Sequence, residues 1–324
     1  MEFNQTRRRF LQTTAAMGVA LSAGSERVVA QPSGKSPFHK AVITSHPDRN
    51  KLEEIHTAGF DGVEVSLSSK LVSKAEAEEV KKIGEEIGAR VHSVLRGWAN
   101  FNVPEKAQED FDYTVGTLKA AQGYGADAVL VVPGRVGGMP MPEKWGFDVE
   151  FDKSTGHVTK VGDGEPKYDE YKKAHNQAWE AFQEWVPKLI PVAEETGVAV
   201  ALENVWNNLF INPEHYQLFI DSFDSPWIRV YFDVANHMAY GNPSEKWIRV
   251  LGDRIVKVHI KDYKVKPGEG EKEWVDLREG SVNFPEVMKA LREVGYDGWL
   301  TIEGSGGLPY DEQNKRLEAI IAGT

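Results

Sequence analysis

The feature that most constrains the fold of this chain is an alternation of short apolar runs with longer amphipathic segments. Eight of the short runs are rich in β-branched residues and lack a clean polar–apolar alternation, which is typical of strands covered on both faces. We predict strands at Ala41–Ser45, Gly62–Ser66, Arg90–Leu95, Ala128–Pro133, Ala199–Asn204, Val230–Asn236, Ile255–Asp262 and Trp299–Ser305.

Helix-like segments separate these runs, and glycine follows the end of most of them, as it does at many helix termini. Eight strand–helix units predict a single closed (β/α)8 barrel, the TIM barrel fold. The alternative is a doubly wound open sheet, which often has a Gly-rich loop after its first strand, but residues 44–47 read Thr-Ser-His-Pro. We predict helices at residues 48–58, 74–87, 105–123, 168–195, 213–223, 244–251, 284–294 and 310–321.

One segment interrupts this alternation, because residues 134–167 are too many for an ordinary strand-to-helix connection. The pattern after Gly146 predicts a small β-hairpin within it. Since the insertion follows the fourth strand, we expect it at the C-terminal mouth of the barrel. We interpret it as a lid over that mouth, with a passive surface insertion as the alternative.

The first thirty residues have the layout of an export signal. Arg7, Arg8 and Arg9 precede Phe10-Leu11, an apolar stretch covers 15–21, and small or medium residues occupy 28–30. The arginine pair resembles the twin-arginine signal, whereas a short membrane anchor or a basic tail would be the alternatives. We therefore expect a periplasmic or secreted protein that uses the twin-arginine export machinery and has no membrane association after cleavage. The predicted boundaries are 1–30 for the signal, 31–40 for a linker and 41–324 for the barrel.

The composition excludes several kinds of site. The chain has no cysteine, so it has no disulfide, no Cys-ligated zinc or iron–sulfur site and no cysteine nucleophile. Its 38 basic residues against 49 acidic ones give a net charge of −11, which argues against nucleic acid as a partner because phosphate binding needs a basic face.

Four predicted strands in succession, the fifth to the eighth, end in residues of the kind that bind metals. These residues are Glu203, Asp233, His259 and Glu303. Each of them taken singly could be a salt-bridge partner or a satisfied core side chain. Together, three carboxylates and one imidazole directly after apolar runs would be costly to bury unless one divalent cation relieved them. This ligand set suits Mn²⁺, Mg²⁺, Co²⁺ or Zn²⁺.

The sequence motifs around these residues resemble those of a known family. They are Leu202–Asn204, Phe232–Asn236, Val258–Asp262, and Gly295–Gly298 followed by Glu303. They resemble the sugar phosphate isomerase/epimerase group of the xylose isomerase-like barrel superfamily. The resemblance implies that Glu203, Asp233, His259 and Glu303 hold one divalent metal, most often Mn²⁺. It also implies that Glu203 and Glu303 are the catalytic acid/base pair.

Such a site supports more than one reaction on a carbohydrate. A cation that polarises a sugar carbonyl acidifies the adjacent C–H, and two glutamates can then remove and return a proton. Return to the same carbon gives epimerisation, return to its neighbour gives isomerisation, and loss of a β-oxygen substituent gives elimination. The sequence departs from tagatose-type epimerases at Asn236, where those enzymes have histidine; here His237 is next to it.

Further residues near the predicted strand ends are candidates for binding the substrate. Glu64 and His92 could contact sugar hydroxyls or form core pairs, and Arg135 could hold a substrate anion or the lid. Trp206 is the expected stacking platform for a sugar ring. The predicted substrate-binding residues are Glu64, His92, Arg135, Trp206, Asn236, His237 and Lys261.

We therefore expect a metal-dependent sugar isomerase or epimerase, with a small-molecule carbohydrate as its partner and a homo-oligomer left open. The alternative on the same site is a 3-keto-glycoside lyase or hydrolase that expels the aglycone, which a periplasmic location favours. A binding protein that had lost catalysis would not need the acid pair. An abasic-site endonuclease would need three zinc ions and more histidine ligands than His259.

Overall fold

The computed structural model describes residues 36–145, 147–266, 272–305 and 307–324. The predicted export signal at 1–30 and the first half of the predicted linker lie outside the described residues. The described part of the chain therefore begins at Ser36, shortly before the first strand.

Eight parallel strands close into a barrel, as the sequence predicts. The barrel strands are β1 His39–Thr44, β2 Gly62–Ser66, β3 Arg90–Ala99, β4 Ala128–Pro133, β7 Ala199–Glu203, β8 Ile228–Asp233, β9 Ile255–Ile260 and β12 Trp299–Ile302. Around the barrel their order is β1-β12-β9-β8-β7-β4-β3-β2, so that each strand is hydrogen-bonded to two neighbours.

The helices follow the predicted positions with one difference. The predicted helix at 168–195 is two α-helices joined by a 3₁₀ segment, Val186–Leu189, which contains Pro187. Proline lacks the backbone N–H that a continuous helix needs, so it ends the first helix there. The helices are α1 Arg49–Thr57, α2 Lys74–Ile87, α3 Pro104–Tyr124, α4 Asp169–Trp185, α5 Ile190–Thr196, α6 Pro213–Asp221, α7 Ser244–Leu251, α8 Phe284–Glu293 and α9 Tyr310–Ala322.

The insertion after β4 contains the predicted hairpin, formed by β5 Val149–Phe151 and β6 Val158–Val161. The amide of Asn176 in α4 pairs with both backbone groups of Val158, at 2.8 and 3.1 Å. His215 Nε2 in α6 lies 2.7 Å from the Gly156 carbonyl oxygen. These contacts fix the hairpin to α4 and α6, so a lid remains a prediction for the preceding arm, residues 134–145.

A second hairpin, which the sequence analysis did not predict, follows β9. It pairs β10 Tyr263–Val265 with β11 Lys272–Trp274 in antiparallel register. Its strands have three residues each, too few for a hydrophobic period to be visible in the sequence. This hairpin places Trp274 beside the ends of β9 and β12.

Two separate apolar clusters pack against the strands of the barrel. The larger one fills the space between the strands and the helices, and the smaller one lies around Leu130, Ala201 and Tyr231. Alternate residues of β9 are polar and buried, namely Lys257 and His259, and Lys261 follows directly after the strand. The predicted metal ligands therefore extend a row of buried polar side chains that runs along the barrel. Among the described helices, none combines the length and the apolar character needed to cross a membrane.

Candidate metal centre at the barrel mouth

The four predicted metal ligands meet at the ends of four adjacent strands. Glu203 ends β7, Asp233 ends β8, His259 lies in β9 and Glu303 follows β12. Asp233 and His259 are register partners across β8 and β9. Each of the four residues offers one ligand atom, and all of these atoms lie within 4.8 Å of one another.

The chemistry of this cluster fits one divalent cation. Asp233 Oδ2, His259 Nδ1 and Glu303 Oε2 are buried and converge on one point, where their close partners in the described chain are one another and the ammonium of Lys261, without a well-directed hydrogen bond. Several carboxylates buried together carry more negative charge than one lysine neutralises, and a divalent cation would relieve it. Three carboxylates with one imidazole form a hard, oxygen-rich ligand set of the type that Mn²⁺ or Mg²⁺ prefers.

The backbone after β8 fixes the direction of Asp233. The amides of Ala235 and Asn236 donate to Asp233 Oδ1 at 2.8 and 2.7 Å, which leaves Oδ2 to face the centre. The Asn204 side chain ties the end of β8 to the end of β7. It donates to the Asp233 carbonyl oxygen at 2.8 Å and accepts from the Asp233 amide at 2.7 Å. Asn204 thus holds two ligand-bearing strand ends together.

A lysine adds positive charge to the centre. Lys261 Nζ lies 2.8 Å from Glu303 Oε2 and 3.1 Å from Asp233 Oδ2, and it donates to Asn236 Oδ1 at 3.2 Å. Asn236 in turn donates to Glu203 Oε1 at 3.1 Å. The predicted substrate-binding residues Lys261 and Asn236 therefore lie within the cluster and bridge its two glutamates.

The surroundings shift the pKa values of Glu203 and Glu303 in opposite directions. Burial raises the pKa of Glu203 to about 7, and His259 only partly opposes that shift. Burial would also raise the pKa of Glu303, but the charges of Lys261 and His259 outweigh it and hold that pKa below its usual range. Burial raises the pKa of Asp233 in the same way, against the charge of Lys261.

His237 and Asp262 have structural partners. His237 Nδ1 lies 3.1 Å from Asn204 Nδ2, and its ring packs between Phe232 and Trp247. Asp262 accepts backbone hydrogen bonds from three residues after the second hairpin, those numbered 278, 280 and 282. The structure thus gives both side chains a role in holding loops, next to the centre.

Glu64 and His92, predicted to contact substrate, lie in the barrel interior with no exposed surface. Glu64 Oε1 is 3.1 Å from His259 Nε2. His92 stacks on Trp299 with ring centroids 4.3 Å apart, and its Nε2 is 2.9 Å from Thr301 Oγ1. In this structure both side chains are closed off from the mouth, so of the two readings of the sequence their placement favours core pairing.

Arg135 and Trp206 lie on the loops around the mouth. The guanidinium of Arg135 stacks over Trp98 at 5.2 Å, and Trp98 is 40% exposed. Trp206 packs near Tyr263 at 6.1 Å, and Lys144 lies over its ring at 4.8 Å. The arm that carries Arg135 and Lys144 thus reaches aromatic side chains at two points.

Trp274 is a residue of the mouth that no sequence motif predicted. It is 55% exposed, packs edge-on against Tyr263 at 4.5 Å, and lies 5.2 Å from Lys261 Nζ. A Cβ at Gly304, beside Glu303, would come within 3.0 Å of its ring. The available signal was a tryptophan in the polar stretch Lys272–Trp274, but only the second hairpin brings it to the centre.

Comparison with known proteins places these observations in a family. SgbU of Escherichia coli, provisionally named L-ribulose-5-phosphate 3-epimerase, is 29% identical over 140 residues, or 42% of this chain and 49% of that protein. The inosose dehydratase of Clostridium perfringens is 22% identical over 152 residues, or 43% of this chain and 51% of that one. The chain thus spans about half the length of these curated relatives.

Solved structures match almost the whole barrel. The 3-keto-D-glucoside 4-epimerase YcjR of Escherichia coli superimposes with a TM-score of 0.61 at 17% identity, over 88% of this chain and 99% of that one. A xylose isomerase-like TIM barrel protein of Mycobacterium smegmatis, solved with magnesium, has a TM-score of 0.60 at 17% identity, over 90% and 99% of the two chains. At these identities, the likeness shows the fold.

The sequence model of one family matches residues 52–320, which cover the barrel from α1 to α9. That span includes all four residues of the cluster and both hairpins. The closed eight-stranded barrel and the solved structures agree with this match. The chain therefore belongs to the xylose isomerase-like TIM barrel family.

Proposed function

We propose that this protein is a divalent-metal-dependent sugar isomerase or epimerase. The observation that carries the proposal is the convergence of Glu203, Asp233, His259 and Glu303 within 4.8 Å at the barrel mouth. Active sites of (β/α)8 barrels lie at this end. Relatives and structural neighbours named as sugar epimerases support the carbohydrate substrate.

Those four residues would hold the cation, with Mn²⁺ as the expected ion. When bound, the cation would polarise a sugar carbonyl and so acidify the neighbouring C–H. The solved relative from Mycobacterium smegmatis, which holds magnesium, supports a hard divalent ion at this kind of barrel. The oxygen-rich ligand set supports the same choice.

Glu203 and Glu303 are the proposed acid/base pair. One carboxylate removes the proton from the carbon next to the carbonyl, which gives an enediolate, and the other returns a proton to that carbon or to its neighbour. Asn236 holds Glu203 Oε1 at 3.1 Å, and Lys261 lies 2.8 Å from Glu303 Oε2. The ammonium of Lys261 adds positive charge that stabilises the enediolate oxygen.

Aromatic side chains around the mouth provide apolar faces for a sugar. Trp206 is the proposed stacking platform, and Trp274 offers a second, more exposed ring. Sugar rings bind such faces through their C–H groups while their hydroxyls keep polar partners. Arg135 is proposed to bind the substrate or to hold the arm of residues 134–145 over it.

A second candidate is β-elimination from a 3-keto-glycoside on the same site. A keto group at C3 acidifies the C2 proton, and the bond from C1 to the aglycone oxygen then breaks, with a glutamate protonating the leaving oxygen. Two observations favour it: one relative is named a dehydratase, and YcjR is named for a 3-keto-D-glucoside.

One experiment distinguishes the two candidates. Purified protein supplied with Mn²⁺ is incubated in D₂O with free ketoses and with 3-keto-glucosides, and NMR follows deuterium uptake and aglycone release. Deuterium uptake into a ketose without release of any group supports the isomerase or epimerase and contradicts the lyase. Aglycone release that Glu203→Gln abolishes, and that the surface control Glu318→Gln preserves, supports the lyase instead. Failure of the wild-type protein to bind any divalent cation contradicts both.

We further propose that residues 1–30 are a twin-arginine export signal and that the mature protein works in the periplasm or outside the cell. The order of Arg7, Arg8 and Arg9 before an apolar stretch supports this. N-terminal sequencing of the protein recovered from the periplasm should begin near residue 31. An N-terminus that still includes the arginines would contradict the proposal.

A further inference from the structure

The carboxylate of Glu64 lies deeper in the barrel than the metal centre and has no exposed surface. Ser93 Oγ donates to its Oε2 atom at 2.5 Å, and the Tyr231 hydroxyl donates to the same atom. Its Oε1 atom is 3.1 Å from His259 Nε2. A buried carboxylate is costly unless it is hydrogen-bonded, and these three partners satisfy both of its oxygens.

His259 connects Glu64 to the centre because its two ring nitrogens face different groups. Nε2 faces Glu64, whereas Nδ1 lies 3.0 Å from Glu303 Oε2 and 3.6 Å from Glu203 Oε1. A carboxylate oxygen accepts a hydrogen bond, so Nε2 carries a hydrogen in the pair with Glu64. Nδ1 points among the carboxylates of the centre, and a cation bound there would take the place of a hydrogen on that nitrogen.

Tyr231 joins the same arrangement from a third strand. It lies two residues before Asp233 in β8, so both side chains point into the barrel. Its ring is 4.4 Å from the ring of His259, and its hydroxyl is 3.3 Å from Ser93 Oγ. The imidazole is thus confined by a ring on one side and by a carboxylate at Nε2.

We propose that Glu64 is a positioning residue that orients His259 for the metal, with Ser93 and Tyr231 holding Glu64 in place. In this role Glu64 fixes the tautomer and the rotation of the imidazole, so that Nδ1 is the ligand atom. Carboxylates that accept from the second nitrogen of a metal-binding histidine act in this way in other sites. Direct contact with substrate would require an opening to the mouth, which the complete burial of Glu64 does not provide.

The inference rests on the proposed function, because it requires the centre to bind a divalent cation. The test therefore measures metal affinity first and turnover second. Isothermal titration calorimetry with Mn²⁺ compares the full wild-type chain with Glu64→Gln, which keeps the volume and removes the negative charge. We expect the dissociation constant to rise ~10- to 100-fold.

Two further variants separate orientation from simple loss of structure. Tyr231→Phe keeps the ring and removes the hydroxyl that donates to Glu64, so its dissociation constant for Mn²⁺ should rise by less than that of Glu64→Gln. Glu318→Gln makes the same chemical change on the exposed face of α9 and should leave the affinity unchanged. Thermal unfolding of the metal-free proteins shows whether each variant is folded, and Glu64→Asp restores the charge if Glu64→Gln does not fold.

The outcomes distinguish the proposed function from the proposed role of Glu64. A wild-type chain that binds no divalent cation overturns both the proposed function and this inference. Normal wild-type binding with an unchanged affinity in folded Glu64→Gln overturns the inference alone. A raised KM for the sugar with unchanged Mn²⁺ affinity would assign Glu64 to substrate contact and would also overturn it. A weakened Mn²⁺ affinity, with a KM that recovers at saturating Mn²⁺, supports it.

Discussion

Two regions of the molecule contain fully buried histidines, and their surroundings shift the pKa of the imidazole in opposite directions. Burial lowers the pKa of an imidazole, and it brings the pKa of His215 to about 3 and that of His175 to about 4. Burial acts on His259 too, but the charges of Glu64 and Glu303 outweigh it and raise the pKa well above the usual range. The comparison shows that the neighbouring charges, more than burial, decide whether a core histidine belongs to an ionic centre.

The aromatic group around His215 is built for packing. Its ring stacks on Trp179 at 4.7 Å and on Phe151 at 4.4 Å, and it lies 5.4 Å from His175. His215 Nε2 and His175 Nε2 reach the carbonyl oxygens of Gly156 and Leu209, at 2.7 and 2.8 Å. The neutral imidazoles donate to backbone, so this group anchors the first hairpin.

The largest expected effect comes from removing charge at the ionic centre. Glu303→Gln keeps the shape of the side chain but removes both a ligand charge and one half of the proposed acid/base pair. Turnover should fall by ~10²- to 10⁴-fold. Steady-state kinetics with saturating Mn²⁺ measures this. Thermal unfolding of the metal-free variant shows that it is folded at the assay temperature, although its stability should be lower because Lys261 and His259 lose a buried ion-pair partner. Turnover within a few-fold of wild type would show that Glu303 does not act on the substrate.

The next effect concerns the aromatic group. Gly156 has φ of +75°, and a Cβ there would come 1.9 Å from Trp179 Cζ2, so Gly156→Ala must displace the hairpin or the ring. Strain of both kinds predicts a loss of about 2–4 kcal/mol in the free energy of unfolding. Urea denaturation measures it, and Mn²⁺ affinity should not change. A weakened Mn²⁺ affinity would show that the two regions are coupled.

The pH dependence of stability should separate the two groups further. The unfolded chain takes up a proton on His215 near pH 6.5, but the folded protein does so only near pH 3. Between these values the unfolded state binds more protons, so stability falls as the pH drops, by about 1.4 kcal/mol per unit for each such histidine. Urea denaturation from pH 6.5 to 4 should give a shallower dependence for His215→Gln. An unchanged slope would contradict the neutral assignment.

The smallest expected effect is at the edge of the ionic centre. Trp274→Ala removes an exposed ring that lies beside Lys261 and packs over Gly304. If the ring stacks on substrate, KM should rise about 5- to 20-fold with little change in kcat, as expected for one lost aromatic contact. Trp274→Phe, which keeps an aromatic face, is the matched control and should change KM less. An equal effect of the two substitutions would argue against aromatic stacking at Trp274.

The sequence predicted the barrel and the four residues that converge at its mouth because both depend on local patterns. Apolar runs that end in Glu203, Asp233 and Glu303 mark strand ends, and parallel strand ends meet at one mouth. The first hairpin was predicted from alternation, but its attachment to α4 and α6 was not, because Asn176 and His215 are ordinary helix residues in the sequence. The three-residue strands of the second hairpin gave no usable period.

Glu64 shows most clearly what sequence reasoning lacked. Its position at a strand was predicted, and its pairing was left open between sugar hydroxyls and the core. Its partners Ser93, Tyr231 and His259 lie 29, 167 and 195 residues away in the chain. No spacing rule joins residues so far apart.

The sequence by itself determined the repeating units, the charge and the residue types available for a hard cation, since periodicity and side-chain chemistry are properties of the chain. Only the tertiary structure decided which polar residues face one another inside the barrel. Closure of the sheet brings β2 within reach of β8 and β9 across the interior. At that short range, the neighbouring carboxylates outweigh burial and raise the pKa of His259, whereas burial lowers the pKa of His215, so one histidine belongs to an ionic cluster and the other to an aromatic one.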